Sequence, residues 1–371
     1  IPVGEFRRKM PVIQSLDLLI VSDSAIDSLF DEGKLLLVEK QGNVAKINWA
    51  GEFKINIYHC SSKEKGSKLF RYTGPEIFLK EVVKKAPGQS FQEIPEEQSI
   101  FETLHIPFIV PELRDQPDVL DIFQKSLITN LIEERDIKGI IHCHSTYSDG
   151  LHSLEEMSRY VKSQGYEYLV ISDHSKSAFY ANGLQVNRLQ QQWEEIDRLN
   201  EALAPFRIFK SIESDILYDG NLDYEEKILE KFDCIIASVH SQLKMTAEKA
   251  TERVLKAVQN PFTAILGHPT GRLLLSREGY PLDHKAIIDA CAKNGVIIEL
   301  NANPWRLDLD WTWIQYALSK GVKIAINPDA HSKEGIHDVR FGVQTARKGG
   351  LTPKDCLNTL NLTDFAQFVA R

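Results

Sequence analysis

From residue 138 onward, short β-branched apolar runs alternate with amphipathic windows, and this rhythm constrains the fold more than anything else in the chain. The runs are Gly139–His144, Tyr168–Asp173, Arg207–Glu213, Cys234–His240, Ala264–His268, Val296–Leu300 and Lys323–Asn327. Their starts lie mostly roughly 30 residues apart, the length of one strand–helix unit. Helical windows such as Leu154–Ser163 and Asp283–Lys293 fall between them. Seven such units, in a segment close to the ~250 residues of an eight-unit barrel, predict an α/β fold whose parallel sheet closes into a barrel.

Residues 1–137 read differently. Leu16–Ile20, Leu35–Val38 and Lys54–Tyr58 predict strands of a small mixed or antiparallel sheet. A helical stretch and a polar loop follow in 74–104, and 111–137 reads as a linker with a short helix. The expected organisation is a first domain at 1–114, a linker at 115–137 and the barrel at 138–371. Five cysteines occur singly without a C-x-x-C pair, which argues against a thiolate zinc site and predicts a reducing, cytoplasmic setting. No apolar run reaches the ~20 residues of a membrane span. Net charge is −8 and both parts are acidic, so any nucleic acid must be held by cations and a few local Arg or Lys rather than by a basic field. The Ile1-Pro2-Val3-Gly4 start lacks an initiator Met and a signal pattern, so the chain is expected to begin inside a longer protein.

Chemistry-bearing side chains cluster at the carboxy ends of the predicted strands. His142 and His144 end the first, with Asp149 beyond; His174 follows the second, Glu213 ends the third, His240 the fourth and His268 the fifth, and Asp329 and His331 follow the seventh. In a parallel barrel these ends share one face. On a strand, residues i and i+2 point the same way, so His142 and His144 can serve one ion. One histidine at a strand end means little, but six of eleven do this. Imidazole and carboxylate ligands suit Mn, Zn or Fe, and so many ligands predict two or three divalent ions bridged by Glu213. Clustered ions ~3.5–4 Å apart activate water and stabilise a phosphoryl transition state. Asp149, Glu213 and Arg272 are the candidate catalytic groups. Arg272 and Arg306 are placed to hold phosphate, and Tyr147 and Trp305 to stack a base.

The run His142-Cys143-His144-Ser145-Thr146-Tyr147-Ser148-Asp149-Gly150 resembles the opening motif of the PHP (polymerase and histidinol phosphatase) superfamily. Ser172-Asp173-His174-Ser175, Glu213-Ser214-Asp215, Ser238-Val239-His240-Ser241, Gly267-His268-Pro269 and Asp329-Ala330-His331-Ser332 resemble its later motifs in order. The resemblance implies a distorted (βα)7 barrel and a trinuclear centre. One ion would take His142, His144, Glu213 and Asp329; a second Glu213, His240 and His268; a third Asp149, His174 and His331. Glu299-Leu300-Asn301-Ala302-Asn303-Pro304 and Pro111-Glu112-Leu113-Arg114 are similar to the bacterial family-X DNA polymerase branch. That branch implies 3′–5′ exonuclease and 3′-end-processing activity in DNA repair, favoured by manganese.

Gly4-Glu5-Phe6-Arg7-Arg8 and Leu16-Asp17-Leu18-Leu19 resemble that family's palm, which needs a Gly-Ser turn and three Asp. Here Glu5, Ser15 and Asn56 replace the Ser and two of the Asp, leaving Asp17, which is expected as a solvated strand residue. One carboxylate cannot hold two Mg²⁺, so a palm remnant without nucleotidyl transfer is expected. The resemblance would place the polymerase's lyase and fingers regions before Ile1. The expected partner is a DNA 3′ end. The alternatives are a phosphorylated small molecule, as for a phosphatase of the histidinol type, and a non-catalytic DNA-binding module.

Overall fold

The seven apolar runs become seven parallel strands, most of them buried on both faces, as expected of a parallel sheet covered by helices outside and side chains inside. The computed structural model describes residues 1–24, 37–49, 53–124 and 130–370. The chain divides into two compact units, Ile1–Thr129 and Asn130–Arg371. Among the described residues no helix is long and apolar enough to cross a membrane, and the five cysteines are free and buried.

The first unit holds a five-stranded mixed sheet of β1 (Pro2–Val3), β2 (Ser15–Val21), β3 (Leu37–Gln41), β4 (Val44–Trp49) and β5 (Phe53–Cys60), in the order β1-β2-β5-β4-β3. β2 and β5 run parallel and set Asp17 opposite Asn56. Of the expected strand Leu35–Val38, Leu35 and Leu36 lie outside the described residues. The Pro111–Arg114 segment is not a linker. Leu113 and Arg114 are core residues, and the Arg114 guanidinium lies within 5.3–6.0 Å of the Phe70, Phe78, Phe101 and Phe108 rings, paired with Glu97 at 2.7 Å. A short helix, Val119–Gln124, follows; residues 125–129 of the expected linker lie outside the described residues.

The barrel comprises β6 (Gly139–Cys143), β7 (Tyr168–Ile171), β8 (Arg207–Asp215), β9 (Cys234–Ser238), β10 (Ile265–Leu266), β11 (Ile297–Asn301) and β12 (Ile324–Asn327), joined in sequence order. A helix follows each strand, from Leu154–Ser163 after β6 to Val339–Lys348 after β12. The fold is thus the parallel seven-stranded α/β barrel that the strand count predicted, in the distorted form that the family resemblance implied. β10 is shorter than Ala264–His268: the Gly267 N–H still donates to the Ala237 carbonyl at 2.9 Å, but the His268 N–H goes to the Glu299 carboxylate at 3.0 Å instead of the ladder.

β12 and β6 close the ring only at the top, where the His144 N–H donates to the Ala330 carbonyl at 2.9 Å. Lower down, the side chain of buried Asn358 fills the seam, donating to the carbonyls of Ile326 (2.9 Å) and Gly139 (3.3 Å) and accepting from the Ile326 N–H at 2.8 Å. Inside, Ile141, Val170, Phe209, Ile236 and Ile265 form the barrel core. The last helix, Leu362–Val369, plugs the bottom with Phe365, which stacks on Tyr168 at 4.4 Å. The top is left to polar side chains.

Candidate metal centre

The strand ends converge as their spacing predicted, but β6 needs a bulge to do it. Ile140 and Cys143 pack toward the helices while Ile141 faces the barrel core. Strict alternation would therefore turn His142 outward. A register shift between Ile141 and Cys143, with His142 at φ +66°, turns His142 inward beside His144. Asp329 also sits in the left-handed region, at φ +52°. Such conformations cost of order 1–3 kcal/mol each and persist only when surrounding structure enforces them.

Glu213, fully buried on β8, is the hub. Its Oε1 lies 3.2 Å from His142 Nε2, 3.1 Å from His240 Nε2 and 2.9 Å from His268 Nε2. Its Oε2 lies 3.0 Å from His174 Nδ1 and 3.7 Å from His144 Nε2. Asp329 Oδ1 sits 3.1 Å from His144 Nε2 and 3.7 Å from His142 Nε2. Asp149, toward the opening, meets His331 Nε2 at 3.4 Å, His174 Nε2 at 3.6 Å and His144 Nδ1 at 3.8 Å. Among the described residues, three groups are compact enough to hold an ion: His142, His144 and Asp329; His144, Asp149, His174 and His331; and His174, Glu213 and His240.

Whether these residues suit cations can be tested on their unused atoms. His142 Nε2, His144 Nδ1, His174 Nδ1 and Glu213 Oε2 are buried without a hydrogen-bond partner. Orphaned buried acceptors are costly, and a cation is the group that satisfies several at once. His144 and His174 each belong to two groups, and a neutral imidazole has one lone pair, so each can serve one ion.

Electrostatics agree. Burial alone would raise the Glu213 carboxyl; the imidazoles of His240, His142 and His174 outweigh it and hold it well below the usual range. Asp329 is held low in the same way against burial, chiefly by His142. Burial, with His331 and His174 beside it, pushes His144 down to about 3, which keeps its ring neutral. Burial opposes protonation of His240 too, but Glu213 and Asp215 raise it to about 10; hydrogen bonding to Asp149 helps raise His331 against burial to about 9.

Two site residues were missed by sequence reasoning. Glu299, buried on β11, accepts from His142 Nδ1 at 2.6 Å, the His268 N–H at 3.0 Å, Asn301 Nδ2 at 3.0 Å and Asn327 Nδ2 at 2.8 Å. Asp215 accepts from His240 Nδ1 at 2.5 Å. Each fixes a ring so that Nε2 faces Glu213. Strand alternation was the available signal for Asp215, two residues after Glu213. Asp173 instead braces the Asp149 loop, accepting from the N–H and hydroxyl of both Ser145 and Ser148.

The expected substrate contacts separate. Arg306 Nε lies 3.6 Å from Asp329 Oδ2, at the edge of the cluster, and Trp305 is exposed beside it. Arg272 does not face the cluster. Its Nη1 pairs with Asp310 at 2.7 Å, its Nε donates to the Arg306 carbonyl at 2.9 Å and its Nη2 to the Leu307 carbonyl, so it clamps the loop that carries Arg306. Tyr147 packs on the hydrophobic layer and donates to Glu195 at 2.8 Å, a loop-packing role in place of an open stacking face. In the first unit Ser15 Oγ and Asn56 Nδ2 both donate to Asp17 Oδ1, at 3.2 and 2.7 Å, so Asp17 is half-buried and bonded rather than solvated. A Cβ on Gly4 would meet Asp17 at 2.2 Å.

A PHP-domain family model matches residues 141–303. The DNA polymerase/3′-5′ exonuclease PolX of Bacillus subtilis is 34% identical, over 99% of this chain and 68% of its own length. A probable phosphatase of Thermoanaerobacter is 27% identical, over 53% of this chain and 86% of its own length. Among solved structures, histidinol phosphate phosphatase from Lactococcus lactis, complexed with zinc, L-histidinol and phosphate, aligns with 56% of this chain and 93% of its own at 19% identity and a TM-score of 0.42. The PHP match and the imidazole–carboxylate groups at the barrel mouth make the second unit a metal-dependent phosphoesterase domain. With a relative of this identity aligned along nearly the whole of this chain and 68% of its own length, the chain belongs to the family-X DNA polymerase family of PolX, with a PHP domain in its second unit.

Proposed function

We propose that the barrel hydrolyses DNA phosphodiesters at 3′ ends, as a 3′–5′ exonuclease and end-processing enzyme, and that the first unit is a palm remnant without nucleotidyl transfer. The observation that carries this reading is the set of cation-holding groups that overlap through His144 and His174 and pack around Glu213, with Arg306 at their edge. The PolX relative, named as a DNA polymerase/3′-5′ exonuclease, supports the choice of DNA because it aligns along both units. His142, His144, Glu213 and Asp329 would hold one ion, Glu213, His240 and His268 a second, and Asp149, His174 and His331 a third. This allotment uses each imidazole once, as the lone-pair count requires. Divalent cations there, whether Mn, Zn or Fe, acidify a water and neutralise charge on the phosphoryl oxygens.

The chain's own groups do the rest. Glu299 and Asp215 keep protons on His142 Nδ1 and His240 Nδ1, leaving Nε2 of each ring as the ligand atom. Asp149, held down to about 2 against its burial by a hydrogen bond to His331 and by the nearby imidazoles, stays anionic at the opening. Arg306 offers a guanidinium to a phosphate approaching the cluster. In the first unit, among the described residues, Asp17 has no second carboxylate in its hydrogen-bonded group, and Glu5 accepts from the Gln14 N–H at 2.7 Å, which sets an anion where a triphosphate would approach.

The test pairs a 3′-recessed DNA duplex with a panel of small phosphomonoesters, with and without Mn²⁺. Hydrolysis of DNA, lost on chelation, restored by Mn²⁺ and absent in His142→Ala, is expected. Turnover of histidinol phosphate alone would favour the phosphatase reading. Fewer than two metals per chain by elemental analysis would favour a non-catalytic module.

A further inference from the structure

Exposed apolar side chains are not scattered over the barrel unit. Leu151 follows β6, Phe179, Tyr180 and Val186 follow β7, and Tyr218 follows β8. Leu275 follows β10 and Trp305 follows β11. Among the described residues, every strongly exposed large apolar side chain of this unit therefore lies after a strand's carboxy end, on the face of the metal centre. Single surface hydrophobes are ordinary; concentration on one face marks a binding surface.

Contacts tie this rim to the site. The Leu151 N–H donates to the His331 carbonyl at 2.7 Å. The Tyr180 ring lies 6.0 Å from His174 and 6.5 Å from His240. Trp305 precedes Arg306, and its carbonyl accepts from the Leu274 N–H at 2.6 Å, which brings the hairpin tip at Leu275 beside it. The loops are braced: Arg272 clamps 306–310, and the Ser177 N–H donates to Asp223 at 2.7 Å next to the Phe179 turn.

We infer that the rim is a nucleobase platform, with Phe179 and Tyr180 on one side of the mouth and Trp305 with Leu275 on the other, stacking the bases beside the phosphate being cut. The inference rests on the DNA reading above and names the specificity-determining residues of that site. Three observations favour nucleobases over other occupants. Phe179 is 83% exposed, Tyr180 70% and Trp305 61%; rings so open cannot enclose a compact phosphomonoester, whose pocket buries most of it, yet they suit flat π faces. The acidic chain lacks a broad positive field, and stacking supplies affinity that needs none. A protein or lipid partner seated on the rim would cover the opening to the metal centre.

The test compares two oligonucleotides in Mn²⁺, one with an ordinary 3′-terminal nucleotide and one with an abasic residue there. Wild-type enzyme is expected to prefer the base-bearing end. Phe179→Ala and Trp305→Ala are each expected to lower kcat/KM on that end about tenfold, mainly through KM, and to shrink the preference. Phe179→Tyr is expected to retain it. Metal content and thermal unfolding should match wild type, since these side chains are on the surface. An unchanged preference in both alanine variants, or none in wild type, overturns the platform while DNA hydrolysis stands. No hydrolysis of either oligonucleotide by wild type overturns both readings.

Discussion

Glu299 shows how much of this centre depends on groups that need touch no ion. It holds His142 by its Nδ1 proton and anchors the His268 backbone at once. Glu299→Gln keeps the size but removes the charge, and is expected to lower metal affinity or turnover roughly 10–100-fold while the fold survives. Metal titration beside thermal unfolding separates that from a folding defect. Protons compete for the same lone pairs. His240 and His331, raised to about 10 and about 9, are protonated at neutral pH in the metal-free chain, although burial opposes it. Their raised values stabilise the metal-free fold below the ordinary 6.5, a contribution lost as pH rises through about 9 and about 10. Cations bind the deprotonated rings, so metal uptake should release protons and affinity should climb with pH up to that window. Calorimetry in buffers of different ionisation enthalpy would count them; zero protons released at pH 7 would contradict the coupling.

At the scale of elements, loops are locked to loops. Arg272 reads as a phosphate ligand by position, just after a strand end, yet it clamps the segment presenting Trp305 and Arg306. Arg272→Ala is expected to lower kcat/KM on DNA about tenfold or more through misplacement, with metal content unchanged. Loss of bound metal in that variant would show a direct role in the cluster instead. The seam between β12 and β6 depends on Asn358, whose amide replaces missing ladder bonds. Asn358→Ala strands buried backbone groups and should destabilise the barrel by about 2–4 kcal/mol, read from the urea midpoint of its unfolding.

At the scale of the whole molecule, every proposed ligand lies in the unit Asn130–Arg371. Saturating metal should therefore stabilise that unit by about 2.7 kcal/mol per ion at one hundred times Kd, raising its melting temperature, and leave the transition of Ile1–Thr129 unmoved. Scanning calorimetry with and without chelator checks this; equal shifts in both units would mean that ions bind elsewhere. The sequence alone determined the architecture and the kind of chemistry. Period-two and period-3.6 patterns are local, and a parallel barrel sends every strand's carboxy end to one face, so His142 through His331 could be gathered on paper. Partnership was not legible, because it links positions far apart in the chain. That Glu299 would meet His142, that Asn358 would fill the seam, and that Arg272 would turn to Asp310 depended on which side chains the closed ring brought into reach. The inward turn of His142 was likewise decided by tertiary structure: a buried cluster able to bind cations offsets a bulge and a left-handed backbone that local preference disfavours.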